Sequence, residues 1–145
     1  MQHVHPRPIS GTAPGTAPGT APGTVLVLGA NGRLARHAAT AFAASGWRVR
    51  TLARRPDPRV GVIEGHGDGG GDARPTDIER RTGDALDATV LAAAADGADV
   101  IVNALNPPYG RWRREVPALT EAVLGAARAS GATVMLPGNV YAFGA

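Results

Sequence analysis

Gly29, Gly32 and Ala35 are the residues of this chain best placed to do chemistry. They stand three apart where an apolar run, Val25-Leu26-Val27-Leu28, gives way to a helical pattern. Glycine at the first place permits a tight turn after a strand. Glycine at the second lets backbone approach a phosphate with no Cβ between them. A small residue at the third lets the helix pack against a sheet. The free N–H groups and the positive end of that helix then favour an anion. The alternative is a plain glycine turn with no ligand, but a strand before it and a helix after it favour a phosphate cradle. Arg54-Arg55, Asp84 and Ala104-Leu105-Asn106 follow later candidate strands and could face the same edge.

The elements that must position these residues can be read from periodicity. Residues 24–29 are a continuous apolar run, suited to a parallel strand buried on both faces. Residues 32–45 read as a helix whose small-to-apolar face is Leu34, Ala38, Ala41, Phe42 and Ser45, with Gly46 as its stop. Further strands are expected at Trp47–Ala53, with Val49 and Leu52 strongest, at Ile78–Thr82, Asp99–Asn103 and Thr133–Leu136. Further helices are expected at Ala85–Ala95 and at Val116–Ser130. The apolar positions of the latter are Val116, Leu119, Val123, Leu124 and Ala127, and Gly131 is its stop. Val60–Glu64 could be a short strand ahead of a Gly/Asp-rich loop near 65–77.

Strands alternating with helices predict the α/β class: a Rossmann-like, doubly wound parallel sheet of about five strands with right-handed crossovers. Such sheets bind ligands at the carboxyl ends of their strands, where strand order reverses. Gly29–Gly32, Arg54, Asp84, Ala104–Asn106 and Pro137–Asn139 all fall at such ends. For Asp84 a helix N-cap ahead of Ala85 is an equal reading, and both roles can hold together.

Composition bounds the rest. The chain has 145 residues, 43% of them hydrophobic and only 4% aromatic, so Ala, Val and Leu must build the core. Residues 1–23, with Gly-Thr-Ala-Pro repeated from Gly11, read as a disordered tail; with the Gly/Asp-rich stretch also set aside, roughly 110 residues remain for one modest core within 24–145. His3 and His5 belong to that solvated tail rather than to a metal site. Asp68 and Asp72 lack the spacing and closing Glu of a calcium loop. There is no cysteine, hence no disulfide and no thiolate metal site. All 15 basic residues are arginine, and the net charge is +3. They are scattered without interleaved aromatics, so no nucleic-acid partner is expected. With no secretory or membrane-spanning run, a soluble cytoplasmic protein with no membrane partner is expected.

Val27-Leu28-Gly29-Ala30-Asn31-Gly32-Arg33-Leu34-Ala35, then Val49 to Pro56, Gly83-Asp84-Ala85-Leu86-Asp87 and Ala98 to Asn103 together resemble the NAD(P)-dependent epimerase/dehydratase family. This is the extended or atypical branch of the short-chain dehydrogenase/reductases. Val134 to Gly144 resembles the segment after that family's fifth strand. The resemblance covers about residues 24–145, broken by the Gly-rich stretch. It implies that Gly29, Gly32 and Ala35 form the dinucleotide motif, with Asn31, Arg33 and Leu34 completing it. Asp84 would bond the adenine amino group beside the Ala85 backbone. Ala104, Leu105 and Asn106 would line the adenine ribose.

Charge then argues the cofactor. An NAD site places an acid after the second strand, whereas this chain has Arg54 and Arg55 there, with no acid before Asp57. A guanidinium at that place favours a 2′-phosphate, so NADP(H) is expected over NAD(H), with Arg33 as a second contact.

Catalysis is where the resemblance fails. The family uses a Ser or Thr after strand five and a Tyr-x-x-x-Lys whose lysine lowers the tyrosine pKa. No lysine exists here, Pro137-Gly138-Asn139 fills the hydroxyl position, and Tyr141 and Tyr109 lack a partner. No catalytic residue is therefore assigned. The chain is expected to be the N-terminal part of such an oxidoreductase, truncated on its C-terminal side, inactive by itself and with apolar surface exposed near Val134–Leu136. A non-catalytic NADP-sensing regulatory or interaction module is the competing expectation, and a fold that binds nothing is the third. In the full-length family the second partner is a nucleotide-sugar or other carbonyl substrate. Tyr109, Arg111 and Trp112 could line its entrance, or could belong to a proline-stiffened turn that caps the next helix.

Overall fold

The computed structural model describes residues 22–55, 60 and 78–138. The expected tail over 1–21, the 61–64 part of the short strand, the Gly/Asp-rich loop, Asn139 and Tyr141 lie outside them. Strands β1 (Thr24–Leu28), β2 (Arg48–Ala53), β3 (Ile78–Thr82), β4 (Val100–Asn103) and β5 (Thr133–Met135) form one parallel sheet in the order β3-β2-β1-β4-β5. Helices α1 (Arg33–Ala44), α2 (Ala88–Ala95) and α3 (Trp112–Ser130) make the β1–β2, β3–β4 and β4–β5 crossovers, and most of the β2–β3 connection lies outside the described residues.

All five residues of β1 are buried, as its unbroken apolar run requires of a central strand. The strand's two-residue period splits them. Val25 and Val27 join Ala35, Ala39 and Val49 under α1, while Leu26 and Leu28 join Leu91, Ile101, Val123 and Ala127 under α2 and α3. The chain leaves β1 toward β2 and β3, then returns to its other side as β4 and β5. Strand order therefore reverses between β1 and β4. At the opposite end of the sheet, Asp99 ties three strands: its N–H donates to Thr24 O, its carboxylate accepts from Thr24 N at 2.8 Å, and its carbonyl accepts from Thr133 N.

Several boundaries and faces differ from expectation. In α1 the buried residues are Ala35 and Ala39, with Ala38, Phe42 and Ala43 packed beside them, whereas Leu34 is half exposed and Ala41 and Ser45 are exposed. Small side chains let this helix approach the sheet closely, and that rotates the larger Leu34 outward. Gly46 does end α1. Its φ is +82°, its N–H donates to Ala43 O, and Trp47 N–H donates to Phe42 O, with the Phe42 and Trp47 rings 5.2 Å apart. This is a Schellman closure with its apolar contact.

Helix α2 starts at Ala88 rather than Ala85. Its N-cap is Asp87, whose carboxylate accepts from Thr89 N at 2.9 Å and Val90 N at 3.2 Å, so Asp84 is not the cap. Helix α3 starts at Trp112, earlier than its apolar period shows, because the polar stretch Arg113–Glu115 carries no apolar period. Trp112 Nε1 donates to Pro107 O at 2.8 Å and its ring lies 4.9 Å from that of Tyr109, so these aromatics secure the turn into α3. On α3 the buried residues are Val123, Ala126 and Ala127, while Val116 and Leu124 are exposed. On β5 Met135 is exposed and Val134 half buried, and Leu136 just beyond the strand is exposed, so apolar surface does lie open there. No helix among the described residues is long and apolar enough to cross a membrane.

Two arginines close the C-terminal end of α2. Arg50 donates to the carbonyls of Ala94 and Asp96, Arg81 donates to that of Ala93, and both hold the Glu79 carboxylate, at 2.9 and 2.7 Å. The hydrogen bond from Arg50, then that from Arg81, keeps the Glu79 carboxyl below its ordinary value. A depressed folded-state pKa stabilises the protein above the unfolded-state value, about 4.3, and that stability disappears as pH falls through the folded value. Urea midpoints measured from pH 6 to pH 3 should therefore fall more steeply in the wild type than in Glu79→Gln. Parallel curves would remove Glu79 from the acid transition.

Candidate functional site

The turn after β1 is built on one backbone conformation. Gly29 has φ +74°, and an added Cβ would stand 2.9 Å from Ala104 O and 3.2 Å from Leu105 N, in the turn after β4. Gly32 N–H donates to Gly29 O at 2.8 Å, and a Cβ on Gly32 would stand 3.2 Å from that same oxygen. The two turns at the switch point therefore pack backbone to backbone, with no room for a side chain at Gly29.

Helix α1 begins at this turn without a side-chain cap and without an acid in its first turn. Its first helical bond runs from Arg36 N–H to Gly32 O, which leaves the N–H groups of Arg33, Leu34 and Ala35 free of an intrahelical partner. Helix α2, by contrast, has Asp87 on its first-turn N–H groups. Helix α3 also lacks a side-chain cap but carries Glu115 in its first turn. Helix α1 alone of the three thus starts with neither cap nor acid, and it does so at the switch point, where the helix dipole and free donors favour an anion.

A cleft of about 910 Å³ opens over this edge. Of the residues expected to bind cofactor, the structure brings Gly29, Asn31, Gly32, Arg54, Arg55, Asp84, Ala85, Ala104, Leu105 and Asn106 together as its lining. Arg33, Leu34 and Ala35 are not in the lining. Arg33 and Leu34 are exposed on the first turn of α1, and Ala35 is fully buried beneath it, as its packing role requires. Pro137 and Gly138 are exposed beyond β5 and also stand outside the lining.

Local bonds hold these segments. The Asn31 side-chain amide donates to Arg55 O at 2.9 Å, tying the loop after β2 to the glycine turn. Asp84 Oδ1 accepts from Leu86 N at 3.0 Å, and Asn103 Oδ1 accepts from Leu105 N at 3.3 Å. The lining also includes Leu52, Leu86 and Leu119, which add apolar wall, and Pro107, Pro108, Arg111 and Glu115. Glu115 accepts from Arg111 at 3.4 Å and from Arg114 at 3.3 Å, so its charge is matched at the rim. Arg111, the N-cap of α3, and Glu115 and Leu119 on it stand four apart, a spacing that marks one helix face once α3 is begun at Trp112. Gly83 also lines the cleft, and a side chain there would run into Val90. The arrangement offers free backbone donors and two guanidiniums for phosphate, apolar walls for a flat ring, and carboxylate acceptors.

No protein-family model matches the chain, and no curated protein matches it. Solved structures do. A Rossmann-fold NAD(P)-binding family protein from Shigella flexneri is 24% identical, with a TM-score of 0.58 over 79% of this chain and 49% of that one. A nucleoside-diphosphate-sugar epimerase from Pseudomonas aeruginosa is 22% identical, with a TM-score of 0.61 over 84% of this chain and 35% of that one. A uronate dehydrogenase from Agrobacterium tumefaciens, seen as a mutant complexed with NAD, is 21% identical, with a TM-score of 0.57 over 81% of this chain and 41% of that one. The chain carries the Rossmann fold that these NAD(P)-binding, epimerase and dehydrogenase structures share. It spans half or less of their length.

Proposed function

We propose that this chain binds a dinucleotide, NADP(H) in preference to NAD(H), as the N-terminal Rossmann portion of an epimerase/dehydratase-type oxidoreductase. One observation carries the reading. The uncapped start of α1, the positive-φ turn at Gly29 and the Arg54–Arg55 pair meet in one cleft at the point where strand order reverses. The residues fit the group. The α1 N–H groups suit a pyrophosphate, and Leu52, Leu86, Leu105 and Leu119 suit the faces of an adenine ring. Asp84, held by Leu86 N–H, suits its amino group. Arg54 and Arg55 suit a 2′-phosphate, with Arg33 on the outer side of the turn.

When bound, the dinucleotide would supply hydride chemistry. This chain's residues would bind and orient it, and hold its adenosine half away from water. With no lysine in the chain, no tyrosine here has the partner that would tune it to accept or give a proton. Turnover by this chain alone is therefore not proposed. A carbonyl substrate, such as a nucleotide-sugar, belongs to the proposal for the longer protein, and a cytoplasmic location to the same reading. The same lack of lysine also suits an NADP-sensing module without turnover. A Tyr-x-x-x-Lys encoded immediately downstream would decide for the enzyme.

Calorimetric titration of the purified chain tests the binding. NADP(H) should bind roughly 10–100-fold more tightly than NAD(H), the worth of one charge-assisted contact to a phosphate. Equal binding would remove the preference, tighter NAD(H) binding would reverse it, and no binding of either would end the reading.

A further inference from the structure

Asn31 carries an inference about selectivity. An asparagine just before a glycine in a turn is ordinarily explained by a left-handed backbone, but no non-glycine residue among those described has positive φ, so backbone conformation does not require it. Its side chain is also turned to a purpose other than the cradle. The amide nitrogen donates to Arg55 O at 2.9 Å, across 24 residues of chain, and both residues line the cleft. Among the described residues this is the one side-chain hydrogen bond to the Arg54–Arg55 backbone. The last sheet bond on that side is the one from Gly83 N–H to Ala53 O. Beyond Ala53 the segment that carries both guanidiniums leaves the sheet, and Asn31 is what joins it to the phosphate turn.

We infer that Asn31 is a positioning residue for the Arg54–Arg55 segment, and that it sets discrimination for a 2′-phosphate rather than contacting the dinucleotide itself. This deepens the dinucleotide reading above and rests on it. A guanidinium discriminates only if its fork is held where the phosphate will be, and ordering the loop before binding reduces the entropy lost on binding. The amide tie does that from the glycine turn, so the pyrophosphate cradle and the 2′-phosphate contact share one frame.

The test compares 2′,5′-ADP with 5′-AMP, which differ only in the 2′-phosphate, by calorimetry on the full chain. The wild type should prefer 2′,5′-ADP. Asn31→Ala should lower that preference roughly tenfold, the worth of one hydrogen bond. Asn31→Leu, similar in size and without a donor, should repeat the result with an unaltered thermal midpoint, since Asn31 is exposed. In an Arg54→Ala/Arg55→Ala background, Asn31→Ala should cause no further loss of preference, because its effect runs through those side chains. A preference unchanged by Asn31→Ala, or a further loss in the doubly substituted background, overturns the inference and leaves the dinucleotide reading standing. A wild type that binds both nucleotides equally removes the 2′-phosphate preference and the inference with it, and one that binds neither ends the dinucleotide reading as well.

Discussion

Replacing Gly29 by alanine should destabilise the protein by about 2–5 kcal/mol and abolish 2′,5′-ADP binding. Two costs add. A side chain at φ +74° is strained by about 1–2 kcal/mol. The new Cβ would also stand 2.9 Å from Ala104 O and 3.1 Å from the Ala104 carbonyl carbon, which are backbone atoms and cannot swing aside. Moving the turn after β4 costs about as much as overpacking a core, roughly 1–3 kcal/mol. Against a total stability of about 5–15 kcal/mol for a domain, that is a large fraction. Binding fails for a separate reason: parting the two turns moves the α1 N-terminus away from Ala104–Asn106, and the cleft needs both. A urea midpoint equal to the wild type's would show that the two turns are free to separate.

Leu91→Ala should cost a similar amount, about 2–5 kcal/mol, yet leave binding rescuable. Leu91 is fully buried and is the one large side chain on the buried face of α2, whose other buried residues are Ala94 and Ala95. Its loss leaves a cavity among Leu26, Leu28 and Ile101, the centre of the α2–α3 side of the core. Helix α2 also carries the Asp84–Asp87 turn that walls the cleft, so affinity should fall with stability. The glycine cradle is untouched, however. Ligand at a hundredfold excess over Kd should therefore recover about 2.7 kcal/mol. Thermal melts with and without 2′,5′-ADP separate the two variants: a ligand-dependent rise for Leu91→Ala and none for Gly29→Ala. A ligand-dependent rise for Gly29→Ala would contradict the assigned role of the turn.

Much of this was legible in the chain because the informative patterns are local. The run Val25–Leu28 could only be a strand covered on both faces, and the glycine that follows could only be a turn. Gly46 and Gly131 both stop helices in the left-handed conformation expected of them. The ends of β1, β2, β3 and β4 meet as the alternation of strands and helices predicted, and ten of the expected binding residues line one cleft. What was missed depended on contacts between distant segments. The rotation of α1 was misjudged because apolarity pointed to Leu34, while close packing selected Ala35 and Ala39. The capping role went to Asp84 instead of Asp87 because both acids precede the same alanine-rich run, and only the turn from Asp84 O to Asp87 N–H separates them. The early start of α3 was hidden in charged residues with no apolar period. Consequently Glu115 and the placement of Leu119 in the cleft went unseen.

The pairing of Val25 with Val100 has a consequence for how the protein acquires its shape. β1, α1 and β2 are neighbours in sequence and can associate early, since the loop between them is short. β4 must close a span of 75 residues before it can dock on β1, and closing long spans is what slows parallel sheets. The turn at Gly29 rests against Ala104, which arrives only with that docking. The half of the molecule that holds the glycines can thus be in place while the cleft does not yet exist. The cleft is completed in the late, non-local step of folding.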